Sequence, residues 1–236
     1  MLTTYKQNLI ALSVFFAVSA AIAKPPVSSD GLVLWLRNGP NVYKVKDSSG
    51  QKNNGIATSI VISNSPSLVS MQGTRQLTLA VWIKPNSVNY EFPVLISKGG
   101  YNTPGANGGY EFTLNSNGDN DIMFFSGGYY AYTRQANGSL INHHLGEWIH
   151  VAVVADASAQ TIQFFVNGQL YTNTGTYGSL TDVNFNVSNN LYVGAGDPVA
   201  DSSRTSFDGN IRQVMIFNRT LSADEIQKIV TSTKPK

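Results

Sequence analysis

The sequence predicts an all-β sandwich of two packed antiparallel sheets, closed by one short C-terminal helix. Three observations carry this. Twenty-one glycines stand among 236 residues beside many Asn, Ser and Thr and few of the strong helix formers Lys and Glu, a mix suited to short strands and tight turns. Apolar residues recur with a period of two in segment after segment. No helical pattern separates those segments, so crossovers between parallel strands are unavailable and the pairing should be antiparallel.

The first element is not part of the sandwich. Lys6 supplies a positive charge, Leu9 to Val18 is apolar except for Ser13, and Ala21-Ile22-Ala23 offers the small residues of a cleavage site. This is the pattern of a secretory signal peptide over residues 1–23. Its apolar run is shorter than the roughly 20 residues that cross a bilayer. The expected mature chain is one domain, Lys24 to Lys236, secreted or periplasmic, with no membrane span after cleavage. Hydrophobic residues are 42% of the chain and charged ones 13%, enough apolar material for a core and too much for a disordered chain. There is no cysteine, so disulfides, thiolate metal sites and thiol chemistry are excluded. Lys and Arg number 16 against 14 Asp and Glu, with no block of like charge, which argues against a nucleic-acid partner.

Strands are then expected at Gly31 to Leu36, Leu77 to Lys84, Pro93 to Ser97, Tyr110 to Leu114, Ile149 to Ala155, Thr161 to Val166, Asn190 to Val193 and Asn210 to Phe217, each bounded by Gly, Asn, Pro or Asp. Val166-Asn167-Gly168-Gln169 predicts a type I′ hairpin, because Asn-Gly tolerates two successive positive φ angles. Asp156 to Gln160 should turn the preceding pair. Ser222-Ala223-Asp224-Glu225 carries a capping box, and Ile226, Ile229 and Val230 form one apolar helix face. Thr231 to Lys236 is polar and expected to fray. Trp35, Trp82 and Trp148 fall in strand patterns and are expected in the core. His150 reads as a hydrogen-bonded structural histidine.

Five segments in order carry a family resemblance: Leu77 to Pro85 (LTLAVWIKP), Gly146 to Ala152 (GEWIHVA), Phe165-Val166-Asn167-Gly168, Leu191-Tyr192-Val193-Gly194, and Phe207-Asp208-Gly209-Asn210-Ile211 running on to Ile216 to Ser222. Asp47-Ser48-Ser49-Gly50 and Asn53-Asn54-Gly55 match the early turn. Together they resemble the laminin-G-like, concanavalin-A-like jelly-roll family of lectins and glucanases, over most of the mature chain. The resemblance implies a jelly-roll sandwich with one concave sheet. Many relatives carry acidic pairs near the first and last long strands that resemble calcium ligands; here those places read Leu36-Arg37-Asn38 and Ile211-Arg212-Gln213. Two arginines would repel the ion, so no cofactor is expected and family-type calcium is doubtful. The Asp-rich stretches around Asp119 and Asp121, and Asp197, Asp201 and Asp208, read as turns.

Catalysis finds little support. Glycan cleavage in this fold needs two facing carboxylates, and of Glu91, Glu111, Glu147 and Glu225 none lies in the family's Glu-x-Asp-x-x-Glu strand pattern. Glu91 and Glu111 would have to meet on the concave face; the plainer reading is that they are solvated carboxylates at strand ends. Uronate lyase chemistry would draw on His143-His144, Tyr132 and Arg134, whose motifs do not match. No catalytic residue and no metal ligand is assigned. Sugar sites combine flat rings, which pack on the apolar faces of pyranoses, with amides and carboxylates for the hydroxyls. The candidates are Tyr101, Asn102 and Asn107 in a glycine-rich loop, with Tyr129, Tyr130 and Tyr132 after Gly127-Gly128. The expected function is an exported carbohydrate-binding, lectin-like module; the alternative is a structural or adhesive surface protein that binds other proteins.

Overall fold

The computed structural model describes residues 24–37, 44–45, 47–51, 55–56, 60–87, 92–99, 108–114, 122–134, 140–180, 185, 187–196 and 205–235; the segment 1–23 assigned to a signal peptide lies outside them. Among the described residues the strands are β1 (Leu32–Leu36), β2 (Lys44–Val45), β3 (Gly55–Ile56), β4 (Ile60–Ile62), β5 (Gln76–Pro85), β6 (Pro93–Gly99), β7 (Gly109–Leu114) and β8 (Ile122–Ser126). They continue as β9 (Tyr129–Thr133), β10 (Ile149–Asp156), β11 (Thr161–Val166), β12 (Gln169–Tyr171), β13 (Thr174–Tyr177), β14 (Leu191–Val193), β15 (Thr205–Ser206) and β16 (Gly209–Phe217). Two α-helices, α1 (Met71–Thr74) and α2 (Ala223–Thr233), and 3-10 turns at Ser67–Val69 and Ile141–His144 complete the elements. Short helical pieces therefore do lie between strands, contrary to the expectation, but each is a single turn and none makes a crossover.

The smaller sheet is ordered β1, β16, β5, β10, β11, β12; the larger is β13, β9, β8, β7, β6, β14, β4, β3, β2, with β15 added parallel to β6. Every pair along those two paths is antiparallel. This is the expected all-β jelly-roll sandwich. Its core lies between the sheets, where Leu79, Val81, Val151 and Val153 meet Leu95, Phe112, Phe124 and Ala131. Strand β10 is buried on both faces, because Ala152 and Val154 point away from that core into a second cluster with Trp35, Phe165, Phe217, Ile226 and Ile229 under α2. Hence its near-continuous apolar sequence.

Local chemistry fixes the turns. Asn167 and Gly168 adopt φ of 48° and 84°, the type I′ geometry, and pair Val166 with Gln169. The Asp156 carboxylate accepts from the Ser158 and Ala159 amides at 2.9 and 2.8 Å. Ser222 caps α2: its hydroxyl accepts from the Glu225 amide at 3.2 Å and the Glu225 carboxylate from the Ser222 amide at 3.0 Å. Arg219 grips the same carboxylate with two donors, at 3.0 and 2.6 Å, and its hydrogen bonds hold that carboxyl below the usual range. The helix does not fray where expected. It runs to Thr233, whose buried hydroxyl accepts from the Trp82 indole at 3.0 Å.

Two further expectations change. Trp35 and Trp82 are buried, but Trp148 precedes β10, is half-buried and lies 5.5 Å from the Arg212 guanidinium. His150 is fully buried at the Trp82 ring edge, with centroids 5.3 Å apart, yet neither ring nitrogen has a hydrogen-bond partner among the described residues. Desolvation pushes its pKa down to about 3, so it is a neutral packing ring.

At the far end of the core, Lys98 on β6 is buried, and its ammonium donates to Asn64 Oδ1 at 2.6 Å, the Val187 carbonyl at 2.9 Å and the Asn189 carbonyl at 2.6 Å. All three acceptors are neutral. Burial outweighs them and lowers its pKa to about 8.

Candidate functional site

The site lies on the outer face of the larger sheet. Along β9 Tyr129 and Ala131 enter the core while Tyr130 and Tyr132 are half-buried on the opposite face, the alternation a strand imposes. The Tyr segment is therefore a strand, next to the edge strand β13. Tyr129 is 3% exposed, and burial pushes its phenol up to about 12; its place in the candidate set is corrected to that of a core residue.

Register assembles the rest. Tyr177 on β13 stands opposite Tyr130, Phe125 on β8 opposite Tyr130, Glu111 on β7 opposite Phe125, and Ser97 on β6 opposite Glu111. Tyr130 stacks on Tyr177 with centroids 5.1 Å apart and planes at 19°, and on Tyr132 at 6.0 Å and 29°. Phe125 continues the row 5.6 Å from Tyr130. Exposure falls along it, from 62% at Tyr177 to 6% at Phe125 and 1% at Glu111, so one end is open and the other closed around a carboxylate.

At the open end Arg134 follows β9. Its guanidinium lies 4.9 Å from the centroid of the Tyr132 ring and donates to the Tyr132 hydroxyl. Its backbone is fixed to the β12–β13 connection: the Arg134 amide donates to the Asn173 carbonyl at 2.8 Å, and Tyr171 and Asn173 donate to the Arg134 carbonyl at 2.9 and 2.8 Å. Gly175 makes the room. A Cβ there would sit 2.6 Å from Tyr132 Cζ and 2.8 Å from an Arg134 terminal nitrogen.

Chemically, the face offers stacked rings, phenolic hydroxyls, one exposed cation and one buried carboxylate. Tyr101, Asn102, Asn107, Glu91, Asp119, Asp121, Asp197 and Asp201 lie outside the described residues. Asp208 does more than turn the chain: it accepts from Asn86 at 3.1 Å and Ser87 at 2.7 Å, tying the ends of β5 and β16, and those bonds hold its carboxyl low. His144 faces Glu147 at 3.6 Å ahead of β10 of the smaller sheet, so the residues weighed for uronate cleavage are divided between the sheets. Arg37 lies 5.5 Å from the Trp35 ring centroid. Sequence reasoning missed Tyr177, Phe125 and Gly175; the alternating Tyr-Tyr-Ala-Tyr-Thr of β9 was the available signal that a strand, and so a cross-strand row, was present.

A family model described as the concanavalin A-like lectin/glucanases superfamily matches residues 54–227. A comparison with curated protein sequences finds no match. Among solved structures, the fold is similar to the binding domain of botulinum neurotoxin serotype C1, at TM-score 0.54 and 16% identity over 88% of this chain and 53% of that one. A botulinum neurotoxin type C structure, described as depending on two ganglioside molecules for cell entry, matches at 0.55 and 15% over 88% and 52%. A Trypanosoma rangeli sialidase in complex with 2,3-difluorosialic acid matches at 0.52 and 16% over 86% and 33%. This chain spans about half the length of the neurotoxin domains, and at these identities the likeness is one of fold. Among the described residues no helix is long and apolar enough to cross a membrane.

Proposed function

The chain belongs to the concanavalin A-like lectin/glucanase superfamily, and from that premise we propose that it is an exported carbohydrate-binding, lectin-like module. The observation that carries this is the stacked row Tyr177, Tyr130 and Tyr132 on an open sheet face. Such a row offers a sugar the ring of the exposed Tyr177 at its outer end, with ring edges and phenolic hydroxyls along the rest. Tyr101, Asn102 and Asn107, outside the described residues, are proposed as ligand contacts on residue type alone. Neighbouring folds include binding domains, one of them described in complex with rat synaptotagmin II, so a protein ligand is the competing reading.

A glycan array, run with and without a chelator, tests it. The wild-type chain should be retained on a subset of glycans, and Tyr130→Ala combined with Tyr177→Ala should abolish that retention while the fold persists. Retention of the double variant would move the site elsewhere; wild-type binding to no glycan would favour the protein ligand. Export carries its own outcome: protein recovered outside the cytoplasm should begin at Lys24 by mass spectrometry, and an intact Met1 terminus would refute it.

A further inference from the structure

Resting on the carbohydrate reading, we infer that Arg134 makes the face selective for acidic saccharides, with a hexuronate carboxylate pairing with its guanidinium while the sugar packs against the exposed Tyr177 ring. Arg134 is exposed and has no carboxylate partner among the described residues. Exposed arginine is ordinary; this one is held. Its backbone is hydrogen-bonded to Asn173 and Tyr171, and its side chain lies along the Tyr132 ring over the space that Gly175 leaves vacant. Side-chain freedom is thus spent before any ligand arrives, which is what lets a charged contact contribute to affinity. Guanidinium presents parallel N–H donors that match both oxygens of a carboxylate.

The geometry also selects where the carboxylate sits. In a hexuronate it is bonded directly to a ring carbon and projects from the ring's edge, so a pyranose packed against Tyr177 can carry it along the same face of β13 towards Gly175, where the guanidinium lies. Glu111 does not oppose this. It is two strands across and four residues along, about 16 Å between backbones by strand spacing and rise, and it is buried where Arg134 is exposed.

The test uses the full chain on an array carrying neutral glycans, uronate oligosaccharides and the same oligosaccharides after carboxyl reduction. Wild type should prefer each uronate to its reduced partner roughly tenfold, the size of one charged hydrogen-bonded contact, and added salt should shrink that preference. Arg134→Gln should bring the ratio close to one. Gly175→Ala keeps the charge but displaces it, and should lower the ratio in the same direction. Equal or better retention on reduced partners overturns the inference while leaving a carbohydrate site. A uronate preference that survives both variants removes Arg134 from it. Retention on no glycan defeats the carbohydrate reading beneath it.

Discussion

The two sheets turn opposite fates on their outer faces. On the smaller sheet helix α2 lies across the face, so Trp82, Phe165 and Phe217 are buried and even the polar edges of Trp82 and Thr233 satisfy each other. On the larger sheet no helix among the described residues lies over β9 and β13, and the aromatic residues there are tyrosines whose exposure rises to 62% at Tyr177. Aromatic content is similar on both faces; what differs is the cover. The covered face is a second core, where rings stabilise by burial, whereas on the open face the same ring area is available to a ligand.

The sharpest break in this contrast is on the covered side. Trp82→Ala should remove about 4 kcal/mol, since it deletes a buried ring and its hydrogen bond to the Thr233 hydroxyl, which keeps only its own bond to the Ile229 carbonyl, and the thermal midpoint should fall roughly 10 °C. A shift of a degree or two would mean that α2 does not seal the face. His150 gives the next effect. Its folded pKa of about 3 lies below the 6.5 of the unfolded chain, so as pH falls from 6.5 the unfolded state takes up a proton that the native state refuses. Stability is lost at up to about 1.4 kcal/mol per unit across that window, about 1.6 kcal/mol between pH 6.5 and 5, above the range where carboxylates titrate. His150→Phe should flatten that slope in denaturant titrations; an unchanged slope assigns the loss to another group. The smallest effect belongs to the open side. Tyr177→Ala should change stability by less than about 0.5 kcal/mol while weakening glycan retention, and a large destabilisation would show that the face is structural.

The covered face was legible in the sequence because both of its signals are local. Ser222 and Glu225 sit three apart, and Ile226 and Ile229 repeat with the helix period, so cap and buried stripe follow from a few adjacent residues. The eight expected strands all formed, several a residue or two longer. The open face was less legible. Tyr130 and Tyr132 were found as candidates, but Tyr177 is 47 residues from Tyr130 and is brought beside it by strand register alone, which no local pattern encodes. Tyr129 follows the Gly127-Gly128 turn together with Tyr130 and Tyr132, but on a strand the pleat sends neighbours to opposite faces. His150 was placed correctly in the core, but its lack of hydrogen-bond partners depends on the identity of every side chain packed around it.

The ammonium of Lys98 has a consequence for how this domain meets its surroundings. A dissolved cation binding Asn64, Val187 and Asn189 would come and go with its concentration, and the order of the loops around it would follow. A lysine at that point is an ion carried on its own tether, with an occupancy indifferent to chelators and mineral supply. It answers to protons alone. Because its native pKa of about 8 lies below the 10.5 of the free side chain, raising pH through that interval lets the native state release a proton that the unfolded chain retains. The folded chain should therefore gain stability as pH rises through that interval, and Lys98→Met should remove that gain in denaturant titrations.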